Sequence, residues 1–421
     1  MNRPLSKKPD RSVKRPSSLR RLFVPTLLCL ALFPASFALA EKSGGYEDVP
    51  YSGYYGNKDS LTGNDVRISG ETISGSVYGA YAKASGSSEN DTTADNNSVT
   101  VSGNSTVEGK IRGGYADDNV SEDATVTANG NGVTVSGSEV NDEISGGYAE
   151  AAFGNKKTSV TANNNSVTVS NGSEINGTII YGGYAHAKDN QKATATANNN
   201  SVTIDSSIVR NNNAITGGGA NSSSKNATAE ANNNSVTVSG GSKVYGGYIS
   251  GSYVYAYGDQ NATATATANG NSVTVSGNSE VNGNIYGGEA YVRNSSEKAT
   301  ATANSNSVTV SGSTVGDSST GGFYIYGGYA SAYGNQTATA TAEAEANNNS
   351  VIVSNGSTVN GDIYGGYADA YSGTKNTESA TGNTVTIDSA TVEGGNIIVG
   401  GAVIVIVMII ITAVFITLSA S

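Results

Sequence analysis

Residues 347–368, NNNSVIVSNGSTVNGDIYGGYA, return with small changes along most of the chain. Residues 163–185 read NNNSVTVSNGSEINGTIIYGGYA, and residues 269–290 read NGNSVTVSGNSEVNGNIYGGEA. Such a chain has no single unique core to fold around. Each unit must bury its apolar face against the next, so the repeat specifies a stack.

Two landmarks mark the repeat. The SVTVS-type segment recurs ten times, with its first valine at Val66, Val99, Val133, Val167, Val202, Val236, Val273, Val308, Val351 and Val385. The second landmark is the glycine pair of YGGY, which begins at Gly79 (there Gly-Ala) and then at Gly113, Gly146, Gly182, Gly217, Gly246, Gly287, Gly327, Gly365 and Gly400. The steps between pairs are 34, 33, 36, 35, 29, 41, 40, 38 and 35 residues. Residues 250–257 and 318–323 read as insertions in connecting loops.

Within each unit the period is two, the signature of strands. Val351 and Val353 point one way and Ser350 and Ser354 the other. The Ala-Thr runs at 262–268 and 337–342 alternate likewise, with Ala suited to a tight interior and Thr to the outer face. Asn triplets and Asn-Gly pairs separate the strands, because these residues accept left-handed turn conformations. Helices have almost nothing to bury, since Leu61 is the only leucine between Glu41 and Asn396. All six prolines lie at or before Pro50, which leaves the remaining backbone free to pair. The predicted class is all-β: a β-solenoid, similar to a parallel β-helix, of about ten imperfect repeats over residues 64–402, each of three or four short strands.

The ends differ from the middle. Residues 1–40 carry eight basic residues, then an apolar run that closes on Ala38-Leu39-Ala40, the pattern of a secretory signal peptide. Residues 41–63 form a Tyr- and Gly-rich lead-in, read either as a cap on the first repeat or as a linker. From Ile397 to Leu418 (397–418) run 22 uncharged residues that overlap the last repeat. As a helix they would span a bilayer. Three readings of this tail stand open: a membrane helix, a buried terminal strand, or the out-of-frame end of a longer repeat protein.

The only cysteine, Cys29, lies in the signal segment, so no disulfide framework or thiolate metal site is expected after processing. Residues 1–40 hold eight of the 24 Lys/Arg and one of the 35 Asp/Glu, so their removal would leave a charge of −18. That balance argues against a nucleic-acid partner.

No catalytic, cofactor or metal site is predicted. The densest acids, Asp117, Asp118, Glu122 and Asp123, read as a solvated loop between repeats, and the lone His186 as an exposed loop residue. YGGY lacks the Lys-Ser/Thr and the helix of a phosphate loop. The recurrent tyrosines are the functional lead. Tyr245, Tyr286, Tyr326 and Tyr364 share one phase of the repeat, and Tyr115, Tyr148, Tyr184, Tyr248, Tyr329 and Tyr367 another. Stacked, they would form ladders that brace the solenoid or offer an aromatic surface to a glycan or a protein.

A signal segment followed by cysteine-free repeats of this type resembles the passenger regions of Gram-negative autotransporters, over residues 1 to about 402. The resemblance implies an exported β-helical passenger at the cell surface, in the outer membrane or released, acting in adhesion or aggregation on a host or bacterial glycan or protein. It also implies export machinery and an outer-membrane β-barrel translocator as partners, although nothing after Ala402 reads as barrel strands. The alternatives are a periplasmic repeat protein in membrane contact through 397–418, a self-assembling β fibre and, more distantly, a polysaccharide-cleaving enzyme.

Overall fold

The computed structural model describes residues 60–400, except 85–89, 122, 155–156, 211–213, 318–321 and 336–339, together with short strands at 55–56, 404–409 and 415–417. The predicted signal segment 1–40 lies outside the described residues. The repeats form an all-β parallel solenoid of about nine turns.

One coil shows the construction. A valine strand, Ser166–Ser170, leads through Asn171-Gly172 to a two-residue strand, Glu174–Ile175. A long glycine strand, Ile179–Asp189, follows, and then an alanine strand, Lys192–Thr196. An Asn triplet turns the chain into the next valine strand, Ser201–Asp205. Every strand pairs in parallel with its counterparts one coil away, Val167 opposite Val133 and Val202, and Ala195 opposite Val160 and Ala229.

Alternation decides what faces inward. Val167, Val169, Ile175 and Ile180 enter a Val/Ile core, while Ala185, Ala187, Ala193 and Ala195 enter a separate Ala-rich core. Between the two cores the coil narrows to a waist, where the glycine strand meets the asparagine corner. A Cβ on Gly182 would stand 2.3 Å from the Gly217 carbonyl of the next coil, and one on Gly183 would stand 2.4 Å from Asn200 Oδ1. Only a residue without a side chain passes the first of these points, so the glycine pair marks where backbones touch.

The corner is built from hydrogen bonds that repeat with the coil. The middle asparagine takes the left-handed conformation, as at Asn164, Asn199 and Asn233 (φ 57°, 57° and 55°). The third is fully buried, and these residues link coil to coil. Asn165 donates from its backbone N–H (2.8 Å) and from Nδ2 (3.1 Å) to Asn200 Oδ1, and Asn200 does the same to Asn234. The series runs from Asn64 to Asn383. The first asparagines bond in the opposite sense, Asn198 N–H donating back to Asn163 Oδ1 (2.6 Å). Each coil thus satisfies polar groups that burial would otherwise leave without partners.

The structure corrects the sequence register in the sixth unit. Its glycine strand aligns Thr216 with Ser250, Gly218 with Ser252 and Gly219 with Tyr253. The true waist is therefore Gly251-Ser252, and 250–257 is not an insertion but the repeat's own glycine strand. Gly246 and Gly247 instead form an irregularity with positive φ (89° and 68°), flanked by Tyr245 opposite Asn282 and Tyr248 opposite Asn284. The anomalous steps of 29 and 41 residues become 34 and 36 when counted through Gly251.

At the ends, Tyr55–Gly56 pairs with Tyr81 and Ala82 of the first full coil, and Ser60 bridges to Thr93. In the apolar tail, Ile404–Ile409 pairs with the valine strand above it and Phe415–Thr417 with residues 396–398. The rest of 401–421 lies outside the described residues. Among the described residues no helix is long and apolar enough to cross a membrane.

Candidate functional site

The outward positions of the glycine strand form rows that run from coil to coil. Immediately before the glycine pair the row reads Tyr78, Arg112, Ser145, Tyr181, Thr216, Ser250, Tyr286, Tyr326, Tyr364. After the pair it reads Tyr81, Tyr115, Tyr148, Tyr184, Gly219, Tyr253, Glu289, Tyr329, Tyr367. Two residues further on, a third row includes Asp117, Glu150, His186, Tyr255 and Tyr291.

Parallel strands lie about 4.8 Å apart, close to the stacking distance of aromatic rings. Tyr286, Tyr326 and Tyr364 accordingly stack at 5.1 and 4.6 Å, with interplanar angles of 8° and 17°. Tyr329 and Tyr367 stack at 5.1 Å in the second row, and Tyr326 meets Tyr329 edge to face at 5.3 Å. A second cluster links Tyr78, Tyr81, Tyr115, Tyr148, Tyr181 and Tyr184. The two clusters part where Thr216 and Gly219 carry no ring.

Two residues that break the tyrosine pattern carry the charge of this face. Arg112 stands in the first row with its guanidinium carbon 3.7 Å from the Tyr148 centroid and 4.3 Å from that of Tyr115. Its Nη2 lies 3.0 Å from Glu143 Oε1, and Lys110 Nζ lies 3.2 Å from Oε2. Burial by itself would raise the Glu143 carboxyl, but Arg112 and Lys110 beside it hold it below the usual carboxylate range. A buried cation between rings, backed by a carboxylate, combines two attractions that water screens poorly here.

Glu289 occupies a second-row position where most coils place tyrosine, and is only 3% exposed. Its Oε2 accepts from the Tyr291 hydroxyl at 3.1 Å, while Oε1 is buried without a hydrogen-bond partner. The nearby Ser250 hydroxyl is turned to the Ser252 carbonyl at 2.5 Å. Burial pushes the Glu289 carboxyl up to about 8, opposed by the nearby Ser250 hydroxyl dipole and by the hydrogen bond from Tyr291. Where Glu289 replaces the tyrosine of neighbouring coils, a cleft of about 610 Å³ opens. Tyr248, Tyr253, Tyr286 and Tyr291 wall it, with Glu289 inside and Arg293 exposed beside it.

The sequence reading placed several of these residues wrongly. Tyr245 and Tyr248 do not share the phases assigned to them, although Tyr248 reaches the cleft. Asp117 and Asp118 are buried at the end of the strand Ile111–Asp118 rather than solvated in a loop (4% and 2% exposed). Burial, then Glu150 of the next coil, raises the Asp117 carboxyl. Asp123 starts an alanine-type strand, and Glu122 lies outside the described residues. His186 is half-buried on the glycine strand, 6.4 Å from the Tyr184 ring, and burial lowers its basicity. The misplacements of Asp117, Asp118 and His186 share one cause: the strand continues past YGGYA, where the sequence unit had been cut. Arg112 and Glu289 were missed, although IRGGYA and YGGEA mark both as departures from the repeat. Among the described residues, no group of three or more His, Cys, Asp or Glu is placed to hold a metal ion.

No known family model matches the chain, and neither a curated protein nor a solved structure is significantly similar to it.

Proposed function

We propose that the chain is an exported, non-catalytic, adhesin-like repeat scaffold whose tyrosine face makes its contacts. One observation carries the reading. The Val/Ile and Ala cores are complete without tyrosine, yet the tyrosines gather on one face of the stack. On that face Tyr257, Tyr333, Tyr367 and Tyr371 are 38%, 38%, 37% and 48% exposed. Clustered exposed rings on a rigid support mark a contact surface, because tyrosine offers large area at small entropic loss. Display at the cell surface and passage through a β-barrel translocator belong to this proposal through the resemblance to autotransporter passengers.

The test replaces Tyr333, Tyr367 and Tyr371 together with Ser in cells that express the protein. Loss of cell aggregation or surface binding at an unchanged melting temperature supports the reading. Full adhesion by the triple variant overturns it.

A further inference from the structure

The Arg112 and Glu289 regions hold the same parts arranged to different ends. At Arg112 a guanidinium lies between two tyrosine rings with the Glu143 carboxylate at 3.0 Å. At Glu289 the rings and the carboxylate are present, but among the described residues no cation pairs with that carboxylate as Arg112 does with Glu143. Arg293, the basic residue that lines the cleft, is exposed. Oε1 of Glu289 is buried without a hydrogen-bond partner, as are Thr216 Oγ1, Ser252 Oγ and Asn282 Oδ1 on its own and neighbouring strands, but of these only Glu289 belongs to the lining of the cleft and can carry a charge there. A neutral ligand could use the rings, Asn284 and Arg293, but would leave the Glu289 carboxyl without a counter-charge. An organic cation would meet the ring faces and supply the missing counter-charge.

We propose that the Glu289 cleft binds an organic cation of guanidinium or alkylammonium type, held among Tyr253, Tyr286 and Tyr291 and paired with Glu289. The assignment rests on the reading of the tyrosine face as a contact surface and names the chemistry of one part of what it touches. Two sources carry this chemistry: an arginine or lysine side chain of a protein, and a free or lipid-borne quaternary ammonium.

Binding couples to a proton. Glu289 is neutral below about 8, so an arriving cation pairs with the ionised form and one proton leaves to solvent. Of the other groups around the cleft, burial raises Tyr248, Tyr253, Tyr255, Tyr286 and Tyr291, which stay neutral, and the Arg293 guanidinium stands at its edge. Affinity should therefore rise about tenfold per pH unit up to about 8 and level off above it.

The experiment is calorimetric titration of the purified protein at pH 6 to 9 with arginine amide, with tetramethylammonium and with a neutral methyl glycoside. Expected are cation binding that strengthens with pH, and at least a tenfold loss in Glu289→Gln. Glu289→Tyr, which restores the ladder residue of neighbouring coils, is expected to close the cleft and abolish binding while the protein still melts cooperatively. A response to arginine amide points to a protein side chain, and a response to tetramethylammonium alone points to a quaternary ammonium source; both support the site. Binding unchanged in Glu289→Gln, glycoside binding in preference to either cation, or no cation binding at pH 9 overturns it. Because the triple serine variant leaves the cleft residues intact, its loss of adhesion and a loss of cation binding are separate outcomes.

Discussion

The third position of the asparagine corner is the same in every described coil, whereas the tyrosine face across the waist changes from coil to coil. At the corner, Asn97, Asn131, Asn165, Asn200, Asn234, Asn271, Asn306, Asn349 and Asn383 are buried, and each amide bonds the next. On the face, a row that is Tyr in Tyr286, Tyr326 and Tyr364 accepts Arg112, Ser145, Thr216 and Ser250. The physical difference is what the neighbours demand. A corner residue must supply an acceptor at one point and donors at another, and asparagine has both in the right shape. A face residue needs only to stand beside the residue above it. Repetition holds the scaffold, and departures from it carry chemistry.

The largest effect should come from breaking the corner. Asn234→Ala removes the acceptor for the Asn200 backbone N–H and Nδ2, both buried. Two buried donors without partners cost about 4 kcal/mol together. Denaturant midpoints should fall accordingly. A loss below about 1 kcal/mol would mean that water replaces the side chain and that the corner is no stricter than the face.

The waist divides its two glycines. A Cβ on Gly217 would lie 2.5 Å from the Gly251 carbonyl and 2.9 Å from the backbone of Ser235. The position after it already holds Ala80 and Ser252 in two coils, so a side chain there can be accommodated. Gly217→Ala should cost about 3 kcal/mol. Gly218→Ala, whose Cβ would stand 2.4 Å from Asn234 Oδ1 and 2.6 Å from the Ala197 carbonyl, should cost less, because Ala80 and Ser252 show that the corner can shift to admit a side chain. Equal losses in thermal melts would show that the waist is set by something other than backbone contact.

This division also explains what could be read from the letters. The alternating valines and the stack were legible, because a period of two admits one burial pattern. The Asn triplet was legible as a turn, but nothing in three identical letters says that the middle one is left-handed and the third interior. YGGY misled at 245–248 because the fold requires the missing side chain and not the tyrosines. Ser250-Gly251-Ser252-Tyr253 meets that requirement with a different spelling. Glu289 was illegible as a site: one changed letter gains meaning only when its partnerless oxygen and its tyrosine neighbours are known.

On the face, Arg112→Ala should produce a second open cleft like that of Glu289. Glu143 keeps Lys110 as a partner at 3.2 Å, so the loss should be about 2 kcal/mol, below the usual figure for a broken buried pair. Added guanidinium should recover part of the lost melting temperature in the variant and little in the parent. Absence of recovery would break the likeness drawn between the two regions.

The smallest effects separate rings that brace from rings that present. Tyr326 stacks on Tyr286 and Tyr364 and meets Tyr329 edge-on, so Tyr326→Leu, which keeps apolar area but loses these geometries, should cost about 1 kcal/mol. Tyr367 stacks on Tyr329 alone at close range and is 37% exposed, so Tyr367→Leu should leave the melting temperature nearly unchanged and weaken surface binding instead. If both substitutions lowered stability equally and left binding intact, the whole face would belong with the corner as scaffold. The contact role would then have to move to the outer alanine and valine strands, whose Thr and Ser rows are the remaining surface repeated from coil to coil.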